Sequence, residues 1–461
     1  MTSGRRTTVA VVGAGAAGAL TALHLARDAH DDELEIVLVD PARSTGRGVA
    51  YSTDDPAHVL NVPAGRMSAL SDDPGHFVRW LQAADPAADA ATFARRCSYG
   101  EYLDSTLATQ LRERPTVRLR RVHRRALGLR EGADEALLLR LPGADFRADA
   151  VVLALGSPRN PADWAPAVLR GAAGFVPDPW AYGALEKVRP ARSVLLVGTG
   201  LTMVDVALTL AGPGRQVLAV SRSGRLPEPH AARPVPPLPA PPVPDGPLRL
   251  PDVRRLVLGQ LRAAVRAHGD WRPGLDSLRP VTRDLWQRLP EADRAEFLRR
   301  DRRWWDTHRH RMPSDSAEQL ASVRARGWVT VHAGCVADVR VVGPRLRVEL
   351  ADGRAVVVDA VVDCTGRGTS AARSGDGLLA DLLADGKARP GPLGIGLDVG
   401  PDGLLLDAQG RPDPRVVVVG AARQGAEWES TAVPEIRAQA AAAARCIRAA
   451  VGRQLAGAAS Q

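Results

Sequence analysis

Residues 9–18 read VAVVGAGAAG, and residues 194–200 read VLLVGTG. Each is a short aliphatic run that breaks into glycines and then into a stretch with helical spacing. A chain written this way is committed, twice, to a buried strand, a tight turn and a helix. Glycines in such a turn let the backbone approach a pyrophosphate, and the helix N-terminus that follows attracts its charge. Gly198 stands 185 positions after Gly13. Two copies in one chain imply two dinucleotides, with electrons passing between them.

The first copy forms a βαβ unit: a strand at 7–12, a helix at 16–29 and a second strand, LEIVLV, at 34–39. Gly13, Gly15, Ala16, Ala17 and Gly18 are its candidate pyrophosphate residues. Asp40 follows Gly18 by 22 residues and ends the second strand. A carboxylate there accepts a ribose 2′-OH and repels a 2′-phosphate, so this site is expected to take FAD or NAD, not NADP. The second copy spans 193–222, with Gly198, Gly200, Leu201 and Thr202 in the corresponding places. Its second strand ends VLAVSRSGR at 217–225, so Arg222 stands where an acid would mark NAD. Arg222 and Arg225, with the Ser221 hydroxyl, suit a 2′-phosphate and point to NADPH. A charge-assisted hydrogen bond of about 1.5–3 kcal/mol gives roughly 10- to 100-fold preference. Met203 occupies the third small-residue position, which implies a slightly displaced helix.

The remaining chain sets the order of parts. Residues 117–147 alternate apolar and polar, as hairpins do. Strands at 149–156 and 359–366 end in Gly156 and Gly366. Residues 227–251 are Pro-rich and extended, and 252–325 read as amphipathic helices. Strands return at 328–357, with a turn at Asp352-Gly353. A strand at Val416–Gly420 leads to a long helix from near Pro434. The expected fold class is α/β, with two Rossmann-like dinucleotide-binding domains, the second inserted in the first. The boundaries are 1–157 with 373–461 for the FAD-binding domain, and 158–372 for the NAD(P)H-binding domain with its helical insertion.

Net charge is +9, yet lysine occurs only at 187 and 387 and the arginines are scattered. No basic stripe marks a nucleic-acid face. Cys97, Cys335, Cys364 and Cys446 form no C-x-x-C pair, which argues against a zinc ribbon or a dithiol and fits thiols in a reducing cytoplasm. No apolar run approaches membrane-spanning length. His308 and His310 are two apart and do not share a helix face, so no metal site is expected.

The motifs resemble two-dinucleotide-domain flavoproteins of the glutathione-reductase and flavin-monooxygenase type, and more closely a bacterial FAD/NAD(P)-binding family. The resemblance rests on Gly13–Gly18, GVAY at 48–51, LNVPAGRM at 60–67, GTGLTMVD at 198–205, WWDTHRHRM at 304–312 and WESTAVPEIR at 428–437. It implies FAD on the first domain, with Gly420 and Thr431 in a segment beside the flavin and Gly156 and Gly366 at the crossovers. It implies NADPH as hydride donor and a small-molecule substrate. With no dithiol in the chain, oxygen is the natural electron acceptor, giving hydroxylation of an N, S or C centre as N-hydroxylating monooxygenases do. Their fingerprint has a histidine between the glycine motifs, whereas FVPDPW at 175–180 has none. A reductase without oxygenation, or a flavin-binding scaffold with a Pro-rich docking segment, remain the other readings. Asn61 and Glu429 are candidate catalytic residues, and Arg66, Met67, Trp180, Trp305 and His308 candidate substrate residues. Trp305 and His308 are equally suited to aromatic packing.

Overall fold

The computed structural model describes residues 6–29, 33–132, 136–370 and 377–458. The chain divides into two compact units. The first holds the chain up to Ser52, Val62–Pro158 and the chain from Gly368; the second holds Thr53–Asn61 and Arg159–Arg367. The expected junction at 372/373 lies outside the described residues, and the division falls at 367/368 instead.

The first unit is built on a six-stranded sheet ordered β16-β17-β7-β1-β2-β3. Its strands are β1 (Thr7–Val12), β2 (Leu34–Val39), β3 (Val117–Val122), β7 (Ala150–Leu153), β16 (Leu404–Leu406) and β17 (Pro412–Val418). All neighbours are parallel except β16 and β17. The central strands are apolar on both faces because both are covered. Ala10, Val12, Val37, Val39, Val151, Leu153, Val416 and Val418 pack against a three-stranded antiparallel sheet of β4 (Gly128–Glu131), β5 (Leu137–Leu141) and β6 (Ala144–Ala148). On the other face the helix Ala16–Asp28 packs against Arg96–Glu113 and Val433–Ala458. Alternation at 117–147 suggests hairpins throughout, but Val117–Val122 pairs in parallel with β2. As an edge strand with one exposed side it alternates just as a hairpin strand does.

The second unit repeats this plan. Its five parallel strands run β11-β10-β9-β15-β8. They are β8 (Phe175–Val176), β9 (Ser193–Val197), β10 (Gln216–Ser221), β11 (Val329–Ala333) and β15 (Ala360–Asp363). One face meets the helices Leu201–Leu210 and Ser314–Ala325 through Met203, Leu210 and Leu320. The other meets an antiparallel sheet of β12 (Val336–Val342), β13 (Arg345–Leu350) and β14 (Ala355–Val358). The Pro-rich stretch is strapped to the helical insertion. Leu238 N–H donates to the Pro273 carbonyl at 3.1 Å, and Arg288 binds the carbonyls of Pro244 and Gly246.

Thr53–Asn61 belongs to the second unit because polar contacts tie it there. His58, 1% exposed, contacts Thr53 Oγ1 through Nδ1 at 2.6 Å and Thr209 Oγ1 through Nε2 at 2.9 Å. Thr209 Oγ1 in turn donates to Asp55 at 2.7 Å, and His230 Nε2 donates to the Asn61 carbonyl at 3.0 Å. A lone histidine in the segment TDDPAHVLN gives no sequence sign of a tether to residue 209.

His24, on the helix Ala16–Asp28, is 4% exposed. Burial, reinforced by Arg27, lowers its pKa to about 4. The unfolded chain therefore takes up a proton below pH 6.5 that the folded chain refuses until about pH 4. Stability is full above pH 6.5 and falls through this window by on the order of 3 kcal/mol. In the His24→Gln variant, melting temperature followed from pH 7 to pH 4 is expected to decline less steeply than in the wild type.

Candidate functional site

In the first unit, Gly13 N–H donates to the Val39 carbonyl at 2.8 Å, closing the turn after β1 over the end of β2. Gly13 has φ +102°, and a Cβ there would collide with the Ala154 carbonyl. A Cβ on Gly18 would collide with the Gly13 carbonyl, so the helix lies close on the strand end. Gly15 caps the helix without any side-chain hydrogen bond, which leaves the first-turn N–H groups available to an anion. Gly15 and Gly48 face each other at near contact, since a Cβ on Gly15 would lie 3.4 Å from the Gly48 Cα. Gly46 N–H anchors this second loop to the Ala14 carbonyl at 2.8 Å. Asp40 accepts from Ala14 N–H at 2.8 Å and Ala42 N–H at 2.7 Å. Those bonds fix the carboxylate beside the glycine turn and leave it further lone pairs.

Gly420, with φ +84°, closes the same cradle: a Cβ there would lie 3.3 Å from Ala17 Cβ. Its N–H donates to Gln439 Oε1 at 2.8 Å, and Gln439 Nε2 donates to Glu427 at 2.6 Å. Glu427 is in turn paired with Arg423, both almost fully buried. The chain then passes through a γ-turn at Trp428 (φ 63°, ψ −66°), closed by Glu429 N–H to the Glu427 carbonyl at 2.8 Å. This is strained backbone for a bulky residue, held by the buried network around it. Thr431 lies two residues before the helix Val433–Ala458.

The second unit repeats the turn with different chemistry. Gly198 has φ +109°, would collide with the Cys364 carbonyl if it bore a Cβ, and donates to the Val220 carbonyl at 2.7 Å. Gly200 begins the helix Leu201–Leu210, again without a side-chain cap. Met203 replaces the close Gly18 contact and is wholly buried. The register places Ser221, not Arg222, opposite Asp40: Val39 and Val220 accept the two equivalent bonds, and Asp40 and Ser221 follow them. Ser221 Oγ contacts Thr199 Oγ1 at 2.7 Å, and Thr199 Oγ1 donates to the Arg225 carbonyl at 2.6 Å. Arg222 and Arg225 are exposed beside this turn. Arg303, from the helix Arg302–Arg309, donates through Nη2 to Thr199 Oγ1 at 2.9 Å and to the Arg225 carbonyl. Burial is the largest influence on its pKa, which is lowered; Asp306 opposes this, and Arg225 and Arg222 add to it. No spacing rule links residue 303 to a glycine turn a hundred residues earlier.

The other expected residues are dispersed. Arg66 and Met67 lie in the first unit, Arg66 exposed and Met67 buried. Asn61 and Trp180 lie in the second, where Trp180 meets His58 edge-on at 5.3 Å. Glu429 is half-buried after the γ-turn. Gly156 and Gly366 both have positive φ at the strand ends. His308 stacks on Trp304 at 4.3 Å, meets Trp271 at 5.1 Å and donates Nδ1–H to its own helix at 2.8 Å. Trp305 packs edge-on to Phe297. These are contacts within the helical insertion. Among the described residues, no cluster of His, Cys, Asp or Glu is arranged for a metal ion, and no helix is long and apolar enough to cross a membrane.

Residues 10–158 match the family model described as FAD-NAD(P)-binding. No curated protein matches the chain in sequence. The fold is similar to the ornithine N-hydroxylase of Kutzneria sp. 744, solved with reduced FAD, NADP+ and L-ornithine (16% identity, TM-score 0.62, 96% of this chain and 99% of that one). It is similar also to an ornithine hydroxylase from Pseudomonas aeruginosa (17%, 0.62, 97% and 100%) and to L-lysine 6-monooxygenase from Pseudomonas syringae (17%, 0.64, 97% and 100%). The chain therefore has the fold of flavoproteins with two dinucleotide-binding domains. The glycine cradle of the first unit fits a pyrophosphate, and the Asp40 carboxylate fits an unphosphorylated ribose.

Gly15 and Gly18 separate binding from folding. Gly15→Ala places a methyl at ordinary contact distance and is expected to keep a near-wild-type melting temperature while weakening FAD binding by on the order of tenfold or more. Gly18→Ala is expected to destabilise the protein itself, because the obstacle is backbone. Flavin titration and thermal melting of both variants check the contrast.

Proposed function

We propose that this protein is an FAD- and NADPH-dependent oxidoreductase, a flavin monooxygenase that hydroxylates an N, S or C centre of a small molecule. The observation that carries the reading is the chemical contrast between two equivalent turns. One ends in the carboxylate Asp40, the other in Ser221, Arg222 and Arg225. A carboxylate favours a free ribose and guanidiniums favour a 2′-phosphate, so the contrast excludes NADPH from the first turn and supports FAD there with NADPH at the second.

In this reading Gly13–Gly18 and Gly420 admit the FAD pyrophosphate to the N-terminus of the helix Ala16–Asp28, and Asp40 accepts from its adenosine ribose. Thr431, before the helix Val433–Ala458, places a second helix N-terminus toward the flavin. Gly198, Gly200, Leu201 and Thr202 hold the NADPH pyrophosphate. Gly156 and Gly366 provide positive-φ turns after β7 and β15. Bound FAD supplies the two-electron chemistry that links NADPH to oxygen. Asn61 and Glu429 are the proposed catalytic residues, the first as a hydrogen-bonding amide and the second as a base or amine binder, and Arg66, Met67 and Trp180 are proposed substrate residues. The fold similarity to hydroxylases of ornithine and lysine supports a small polar substrate. The four cysteines are free, which suits a cytoplasmic enzyme.

The test is anaerobic mixing of FAD-loaded protein with NADPH or NADH, followed by oxygen and a panel of amines and thioethers. Rapid bleaching by NADPH and a hydroxylated product with one class of substrate are expected. Bleaching with hydrogen peroxide as the sole oxygen product across the panel would make it a reductase, and no bleaching with either nicotinamide would sink the enzyme reading. Arg222→Ala is expected to cut the NADPH/NADH ratio of kcat/KM by about 10- to 100-fold.

A further inference from the structure

We infer that Arg303, delivered by the helical insertion, is the third guanidinium of the 2′-phosphate site and the residue that sets its geometry. The inference rests on the second turn being the NADPH site. Arg303 Nη2 joins two loops at once, through Thr199 Oγ1 at 2.9 Å and the Arg225 carbonyl. Thr199 Oγ1 is also bound to Ser221 Oγ at 2.7 Å. One guanidinium edge thus fixes the hydroxyl pair and the backbone that carries Arg225. Nε and Nη1 have no protein partner among the described residues and remain free to donate.

The charge balance favours an anionic ligand. Among the described residues, no carboxylate lies within ion-pair distance of Arg222, Arg225 or Arg303. The nearby Asp306 is engaged by Arg302 at 3.4 Å and His310 at 3.6 Å. Three cations sharing one hydroxyl-lined turn repel one another unless an anion joins them. A phosphate monoester, with close to two negative charges and three acceptor oxygens, fits that demand, and a ribose hydroxyl does not.

The test uses FAD-loaded protein and calorimetric titration with 2′,5′-ADP and with 5′-AMP, which lacks the 2′-phosphate. Arg303→Ala is expected to weaken 2′,5′-ADP by about tenfold or more and leave 5′-AMP within about twofold. Arg303→Lys, which keeps the charge without the planar fork, is expected to recover only part of the loss. Equal weakening of both ligands would reduce Arg303 to a loop staple, and no weakening of either would remove it from the site. A wild-type protein that binds both ligands equally would overturn the NADPH reading itself, and with it this inference. Melting temperatures of the variants identify any loss of fold.

Discussion

The carbonyl oxygens of Ala154 and Cys364 sit so close to Gly13 and Gly198 that no side chain fits at either position. Each carbonyl belongs to the residue just after a neighbouring parallel strand, β7 in one unit and β15 in the other. The chain leaving the central strand is thus pressed against the next strand's end. It escapes only through positive φ, which glycine adopts without penalty. That escape starts the helix directly above the carboxyl edge of the sheet, with its first N–H groups uncapped. Both candidate nucleotide sites follow from this one steric constraint.

On that shared frame the two turns have diverged in ways that can be assigned atom by atom. Asp40 is held by two backbone N–H groups, so its charge points to a fixed place rather than wandering in solvent. Ser221, in the equivalent position, is neutral, and the charge comes from residues further along the loop and from a separate helix. Gly18 lets the first helix lie against the Gly13 carbonyl, whereas Met203 fills the same space with a buried side chain. The second helix keeps its start at Gly200 despite this, because the Gly198 turn is fixed by its contacts with Val220 and Cys364.

Strands such as VAVV, LEIVLV and VLLV were legible because burial on both faces demands uninterrupted aliphatic residues. The glycine turns and Asp40 were legible because their spacing is set within one βαβ unit, although Ala154 and Cys364, which enforce the glycines, lie outside it. Arg222 sits one position past the residue equivalent to Asp40, because the register of the strand end is set by which carbonyl closes over the turn. Arg303 was not legible at all, nor was the chain from Gly420 through Gln439 to Glu427. These contacts join residues far apart in the sequence, or use side chains with no fixed motif. The edge strand Val117–Val122 misled for a different reason, because half-exposed parallel and antiparallel strands share the same alternation.

The tether between His58 and Thr209 spans 151 positions. It bears on how the protein emerges from the ribosome. Residues 53–61 are made early, yet the helix that holds them appears only after a further stretch as long as a small domain. The first unit waits longer still, because β17, which completes its sheet beside β7, follows the whole of the second unit. Neither unit is a cassette that closes before the next begins. The chain passes between them four times, at 52/53, 61/62, 158/159 and 367/368. A cut at 158 and 367 alone would leave the second unit without Thr53–Asn61, the segment whose His58 meets Trp180 and Thr209, so the unit that folds is larger than the contiguous one.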